Sequence, residues 1–285
     1  MHWVAAVALL RRERRPGVLV TVADVRGHAP RDAGAKLVVA ADEVWGTIGG
    51  GNLEETAIAR SRALLASGAD GPEPMAVSLS DKARADHGRQ CCGGEVILLL
   101  EPLLVVPSVA IFGMGHVGLE LARILSRHDL ELHLVDSRAA YVDPAVLAVL
   151  AGGPATVHAH HAPVPDRVLG YVPRGTHASV PEVARDEVPP GTHVLVMTHD
   201  HAEDFSLCDT VLRCTHLGTV GLIGSAAKWR RFEKGLLVEG HHAEAIAGIR
   251  CPIGTGPAGK EPAVIALGVA AELLALLCAA DRARG

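Results

Sequence analysis

The 285 residues are 49% apolar, 21% charged and 3% aromatic, with a formal net charge of -5. That balance excludes a disordered chain and fits about two domains of the usual roughly 100–200 residues. Mild acidity and few aromatic side chains also exclude nucleic-acid binding, which draws on basic surfaces and stacking platforms.

The six cysteines are too sparse for a disulfide framework, and without a CxxC pair they do not suggest a zinc ribbon. They are expected to be free thiols. The N-terminal stretch MHWVAAVALLRRERR carries its arginines after its apolar residues, the reverse of a signal peptide. The most apolar segment, Ala263–Ala280, is interrupted by Glu272 and reads as a buried or interface helix rather than a membrane span. A cytoplasmic protein with no membrane association is expected.

In chain order, GVLVTVADV and AKLVV read as two strands joined by the Gly- and Pro-containing loop RGHAPRDAG. EVWGTI is a third strand running into Gly49-Gly50-Gly51, and a helix follows from about Asn52 to Ser67. MAVSLS and EVILLLEPLLV are further strands, with Arg89-Gln90-Cys91-Cys92-Gly93-Gly94 between them. These elements predict a small α+β domain over residues 1–107.

The next segment changes character. VAIFGMGHVGLELARILSRHDLELHLVD reads as strand, helix and strand, with Gly113-Met114-Gly115-His116-Val117-Gly118 at the first turn and Asp136 closing the second strand. An acid about 20 residues beyond GxGxxG is the fingerprint of a dinucleotide-binding βαβ unit. THVLVMTHD, AEDFSLCDTVLRC, TVGLIG and SAAKWRRFEKGLLVEG repeat the alternation of strand and helix. Residues 108–285 are therefore expected to form a Rossmann-like, doubly wound parallel-sheet domain. Ala139–Pro190 yields only a strand near Thr156–His160.

Four constellations carry chemistry. Gly113 permits the tight turn, Gly115 lets backbone N–H groups approach a phosphate, and Gly118 allows close helix–strand packing, while Asp136 suits ribose hydroxyls. Adjacent residues of an extended chain point to opposite faces, so one of Cys91 and Cys92 can face a ligand while the other packs; both can equally be ordinary buried thiols. His199 and His201, followed by Glu203 and Asp204, suit a metal, a polar cleft wall or a capped helix. Ser225 with Lys228 suits an anion at a helix start and, equally, a plain capped helix. Cys251-Pro252-Ile253-Gly254 is a further loop, while Cys208, Cys214 and Cys278 fall in helical patterns and are expected to pack.

Ala29-Pro30-Arg31-Asp32-Ala33-Gly34-Ala35-Lys36, Gly46-Thr47-Ile48-Gly49-Gly50-Gly51-Asn52-Leu53-Glu54, Gln90-Cys91-Cys92-Gly93-Gly94, the Gly113–Gly118 turn, Val135-Asp136-Ser137-Arg138, Thr198-His199-Asp200-His201, Gly221-Leu222-Ile223-Gly224-Ser225 and Cys251-Pro252-Ile253-Gly254 follow one another in order. In this order they resemble the XdhC/CoxI family of xanthine dehydrogenase accessory proteins. The resemblance implies a chaperone that binds molybdenum cofactor (molybdopterin), works with a cysteine desulfurase, and delivers sulfurated cofactor to apo-xanthine dehydrogenase or a related molybdenum hydroxylase. It implies Cys91 or Cys92 as the thiol near molybdenum. Gly113, Gly115, Gly118, Asp136, His199, His201, Ser225 and Lys228 are then candidates for the remainder of the cofactor. A maturation factor, not an enzyme, is the expectation, and the final Ala- and Gly-rich helix suggests a homodimer. An NAD-dependent oxidoreductase using GxGxxG and, behind it, a metal-dependent hydrolase built on His199, His201 and Asp204 are the competing readings.

Overall fold

In the computed structural model, residues 1–79, 94–170, 188–255 and 259–282 are described. Met1–Val106 and the chain from Cys278 form one unit, and Pro107–Leu277 the other.

The first unit rests on the alternation in β1, Gly17–Arg26, whose Val18, Val20 and Val22 are buried on one face. With β2 (Lys36–Val39), β3 (Val44–Gly46), β4 (Glu73–Ser78) and β5 (Glu95–Leu103) it makes an antiparallel sheet of order β3-β2-β1-β5-β4. Leu53, Ala57 and Leu64 of α2, Gly51–Ser67, pack into the core with the three valines.

Another helix, α1 (Trp3–Arg12), forms from the N-terminal apolar stretch and the arginines that follow it. Its Trp3, Ala6, Val7 and Leu10 recur at helical spacing and pack with Leu19, Val38 and Ala40 in a separate cluster. Because Leu19 points away from Val18 and Val20, α1 covers the sheet face opposite α2.

In the second unit β6 (Ser108–Phe112), β7 (Glu131–Asp136), β8 (Thr156–His161), β9 (His193–Val196), β10 (Val220–Leu222) and β11 (Ile249–Arg250) form a wholly parallel sheet of order β8-β7-β6-β9-β10-β11. Taken in chain order, this is the doubly wound order 3-2-1-4-5-6. The two-residue β11 has too little pattern to be read from sequence.

Both faces of a parallel sheet are covered at its centre, and the central strand β6 is buried along its whole length. Val109 and Ile111 of β6 pack in a cluster with α3 (His116–Leu125) and α8 (Pro262–Arg282). Their neighbours Ala110 and Phe112 pack in another with α5 (His201–Arg213) and α6 (Ala226–Val238). Each fully buried large side chain, such as Phe112 or Leu121, stabilises the fold by about 1.5–3 kcal/mol relative to exposure. The short α4 (Pro144–Leu147) and α7 (Ala243–Ala247) complete the unit.

The helix α8 is long and apolar enough to cross a membrane by length and composition. Its Ala266, Val269, Ala270, Leu273 and Leu277 instead belong to the core, and Glu272 is held by Arg250 and by the Gly254 N–H at 2.7 Å.

Candidate functional site

The strand order reverses between β6 and β9, and ligands of open α/β sheets bind in the crevice outside the carboxyl ends of such a pair. The chain places its glycine turn there. Gly113 has φ +102°, and a Cβ at this position would overlap the Met197 carbonyl just beyond β9. A Cβ on Gly118 would overlap the Gly113 carbonyl. These two glycines therefore let backbones touch.

Gly115 differs from both. It is the N-cap of α3 with φ -67°, and a Cβ built there meets nothing within 4 Å. As a glycine, the N-cap supplies no side-chain acceptor, and the first N–H groups of α3 carry the positive end of its dipole. The donors suit a phosphate.

Asp136 ends β7 at the position of a ribose-binding acid, yet it is only 2% exposed and its oxygens are engaged. They accept from the Met114 N–H at 2.8 Å, from the Arg138 N–H at 2.9 Å, and from Arg138 Nε and Nη2 at 2.9 and 3.0 Å. Burial opposes ionisation, but the bonds from Arg138 and Met114 outweigh it and hold the carboxyl below its usual range. Asp136 thus ties the glycine turn to β7 and fixes Arg138, whose guanidinium lies 3.6 Å from the Tyr141 ring centroid. In this arrangement the Asp136 carboxylate positions the turn and Arg138.

Lys228 is engaged within the protein in the same way. Its Nζ lies 2.5 Å from Asp204 Oδ2 and donates to the Ile223 carbonyl at 3.0 Å. Asp204, 1% exposed, also accepts from the Thr198 N–H and hydroxyl at 3.0 and 2.8 Å. The anion that Lys228 meets is therefore Asp204. This pair locks α5 and α6 to the end of β9, and one carboxylate of the proposed hydrolase site is spent inside the protein. Ser225 accepts from the Lys228 N–H at 3.2 Å and is an N-cap.

His199 and His201 are exposed at the start of α5, whose N-cap is Asp200. Between them and Asp204 stands Glu203, which accepts from the Ser137 hydroxyl at 3.1 Å. Burial raises its carboxyl above the ordinary value, offset in part by Ser137 and His199, while Asp136 and Asp204 add to the rise. Glu203 also borders a cleft of about 310 Å³ with Pro163, Pro165 and Asp166. Its environment is invisible in sequence, because Ser137 and Glu203 lie on different strand–helix units and meet only through the 3-2-1-4 strand order.

Cys91 and Cys92 lie outside the described residues. Burial pushes the Cys208 thiol up to about 12 and Cys214 up to about 11. It also raises Cys251, against the opposing charge of Lys228. Such thiols are poor nucleophiles and serve packing. Cys278, expected to pack, is exposed.

Strand order and glycine turn define the second unit as a Rossmann-type binding domain, here joined to an antiparallel α+β unit. The chain belongs to the XdhC family: the XdhC Rossmann domain matches residues 109–273, and the XdhC and CoxI family matches residues 10–74. The Escherichia coli (strain K12) protein YqeB is 24% identical over 96% of this chain; the chain spans 46% of the length of that relative. A crystal structure described as a xanthine dehydrogenase from Bacillus halodurans aligns over 98% of this chain and 96% of its own, with 16% identity and a TM-score of 0.46.

Proposed function

We propose that this protein is a maturation factor for xanthine dehydrogenase or a related molybdenum hydroxylase, binding molybdenum cofactor as cargo and passing it to the apo-enzyme. Family membership supports the class of role. The observation that supports cofactor binding is the glycine-capped N-terminus of α3, where a side chain at Gly115 would meet no atom within 4 Å. A terminal phosphate of the cofactor suits those N–H groups, and Gly113 and Gly118 hold them in place. Thiolate is a good donor to a soft metal centre, so Cys91 or Cys92 is assigned to molybdenum through the family resemblance. A cysteine desulfurase supplies the sulfur, and a homodimer in the cytoplasm is the working assembly.

This reading gives the chain a holding role, with few ligands, because a carrier must release its cargo. The NAD-dependent oxidoreductase reading has the right strand order, but its ribose acceptor, Asp136, is engaged by Arg138 and Met114.

Gly115→Asp tests the proposal. The backbone there accepts a side chain, and Asp is a good N-cap, so the fold should keep its stability or gain a few tenths of a kcal/mol. The new carboxylate would occupy the place of the phosphate. Wild type, Gly115→Asp, Cys91→Ala and Cys92→Ala are co-expressed with cofactor biosynthesis, and molybdenum and pterin are assayed in each purified protein together with activation of the apo-hydroxylase. Wild type should carry pterin and Gly115→Asp should lose it; a wild type without pterin overturns the reading, and pterin retained in Gly115→Asp removes the glycine turn from it.

A further inference from the structure

The Ala139–Pro190 region has a histidine-rich strand that the cofactor reading leaves unused. In the parallel ladder of β7 and β8, Glu131 stands opposite Thr156, His133 opposite His158 and Val135 opposite His160. Side chains two apart share a face, so Glu131 and His133 of β7 and His158 and His160 of β8 project from one side of the sheet. One ligand atom each from Glu131, His133 and His158 comes within 4.8 Å of the others.

The second sphere is also present. His133 Nδ1 lies 3.1 Å from His160 Nε2, and the two rings stack at 5.3 Å between centroids. The His158 ring stacks on His133 at 4.7 Å. A metal-bound imidazole usually gives its other ring N–H to a fixed acceptor, which sets tautomer and orientation. With Nδ1 turned to His160, Nε2 is the nitrogen His133 would offer. Burial runs from buried His133 through half-buried Glu131 to exposed His158, which gives the group a floor and an open side.

We propose that Glu131, His133 and His158 bind a divalent transition-metal ion of the zinc class, with His160 as the orienting partner of His133. Two imidazoles and a carboxylate match that class of ion, and three protein ligands leave a position for water. Because the ligands come from adjacent strands, the ion cross-links β8, the last strand of the sheet, to β7. The site does not depend on how the glycine turn is used.

The experiment uses the full-length protein, stripped with chelator and titrated with Co²⁺, whose visible absorption reports ligand type, followed by competition with Zn²⁺. Wild type should bind one equivalent with nitrogen and oxygen ligation. His158→Ala and Glu131→Gln, both at positions with access to solvent, should fold normally by circular dichroism and lose that equivalent. His160→Ala should weaken binding roughly 10–100-fold, the usual range for a second-sphere change. The double variant Cys91→Ser/Cys92→Ser should keep the site, which separates it from thiol binding. Hydrogen exchange over residues 156–161 should slow on adding metal to wild type and stay unchanged in His158→Ala. A wild type that binds no Co²⁺, an undiminished equivalent in both His158→Ala and Glu131→Gln, or loss of the equivalent in the cysteine variant overturns the proposal.

Discussion

The two units each lead a strand through a glycine turn into a helix, and the turns are used differently. In the first, Glu54 of α2 reaches back over Gly49–Gly51: its Oε2 accepts from the Thr47 hydroxyl at 2.6 Å, the Ile48 N–H at 3.0 Å and the Gly50 N–H at 3.1 Å. The chain supplies its own anion. In the second, Asp136 arrives from the neighbouring strand, takes one turn N–H, that of Met114, and spends its other capacity on Arg138. The end of α3 is left to the open space at Gly115. Repeated glycine thus marks a place where backbone amides gather. In the first turn the carboxylate of Glu54 takes two of those amides, and in the second Asp136 takes one.

Lys228→Met leaves the Asp204 carboxylate buried without its cation and should cost about 3–5 kcal/mol in urea unfolding. Adding Asp204→Asn should restore much of that loss, because the uncompensated charge goes with it. Gly113→Ala should cost about 3 kcal/mol, from a positive φ and a Cβ aimed at the Met197 backbone. If Gly113→Ala were neutral, the close approach of β6 and β9 would not be what the turn requires.

Glu54→Ala removes the carboxylate that the first turn holds. It should destabilise the first unit by about 1–2 kcal/mol, a loss of charge-assisted bonds to two amides and a hydroxyl, and leave pterin retention unchanged. Loss of pterin at full stability would show that the first turn is not self-contained.

The smallest effect concerns Glu203. Since the fold raises its pKa from 4.5, the folded state favours the protonated form. The resulting penalty is absent below the unfolded pKa and grows as pH rises through the folded one. Glu203→Gln removes that penalty and should gain at most about 0.5 kcal/mol at pH 7, since the group is partly exposed. The gain should vanish below about pH 4.5; a gain of equal size at both pH values would remove burial of charge as its cause.

The parallel sheet was legible because its central strands are apolar runs separated by helices of clear period, and GxGxxG marked the strand that leads. The position of Asp136 was legible too, but its occupation was not: Arg138 is two residues away in a strand-end pattern that fits a free acid as well as a paired one. The pairing of Lys228 was hidden for a related reason, since its partner Asp204 lies 24 residues earlier and a buried lysine has the same letter as an exposed one. The His133–His158 juxtaposition needs the β7–β8 register, which no local pattern encodes. The helix α1 carries a readable spacing, obscured by the arginines that follow it.

Glu272 has a consequence outside the folded protein. The apolar run Pro262–Ala279 has a mean hydropathy of 2.2, and a nascent chain presenting it could be sorted as an anchor. One charged side chain near the centre of such a run shifts the apparent free energy of insertion by about 2.5–3.5 kcal/mol against the bilayer. The same carboxylate later receives Arg250 and the Gly254 amide, so a single residue both biases the unfolded segment away from lipid and secures the helix once the sheet has formed.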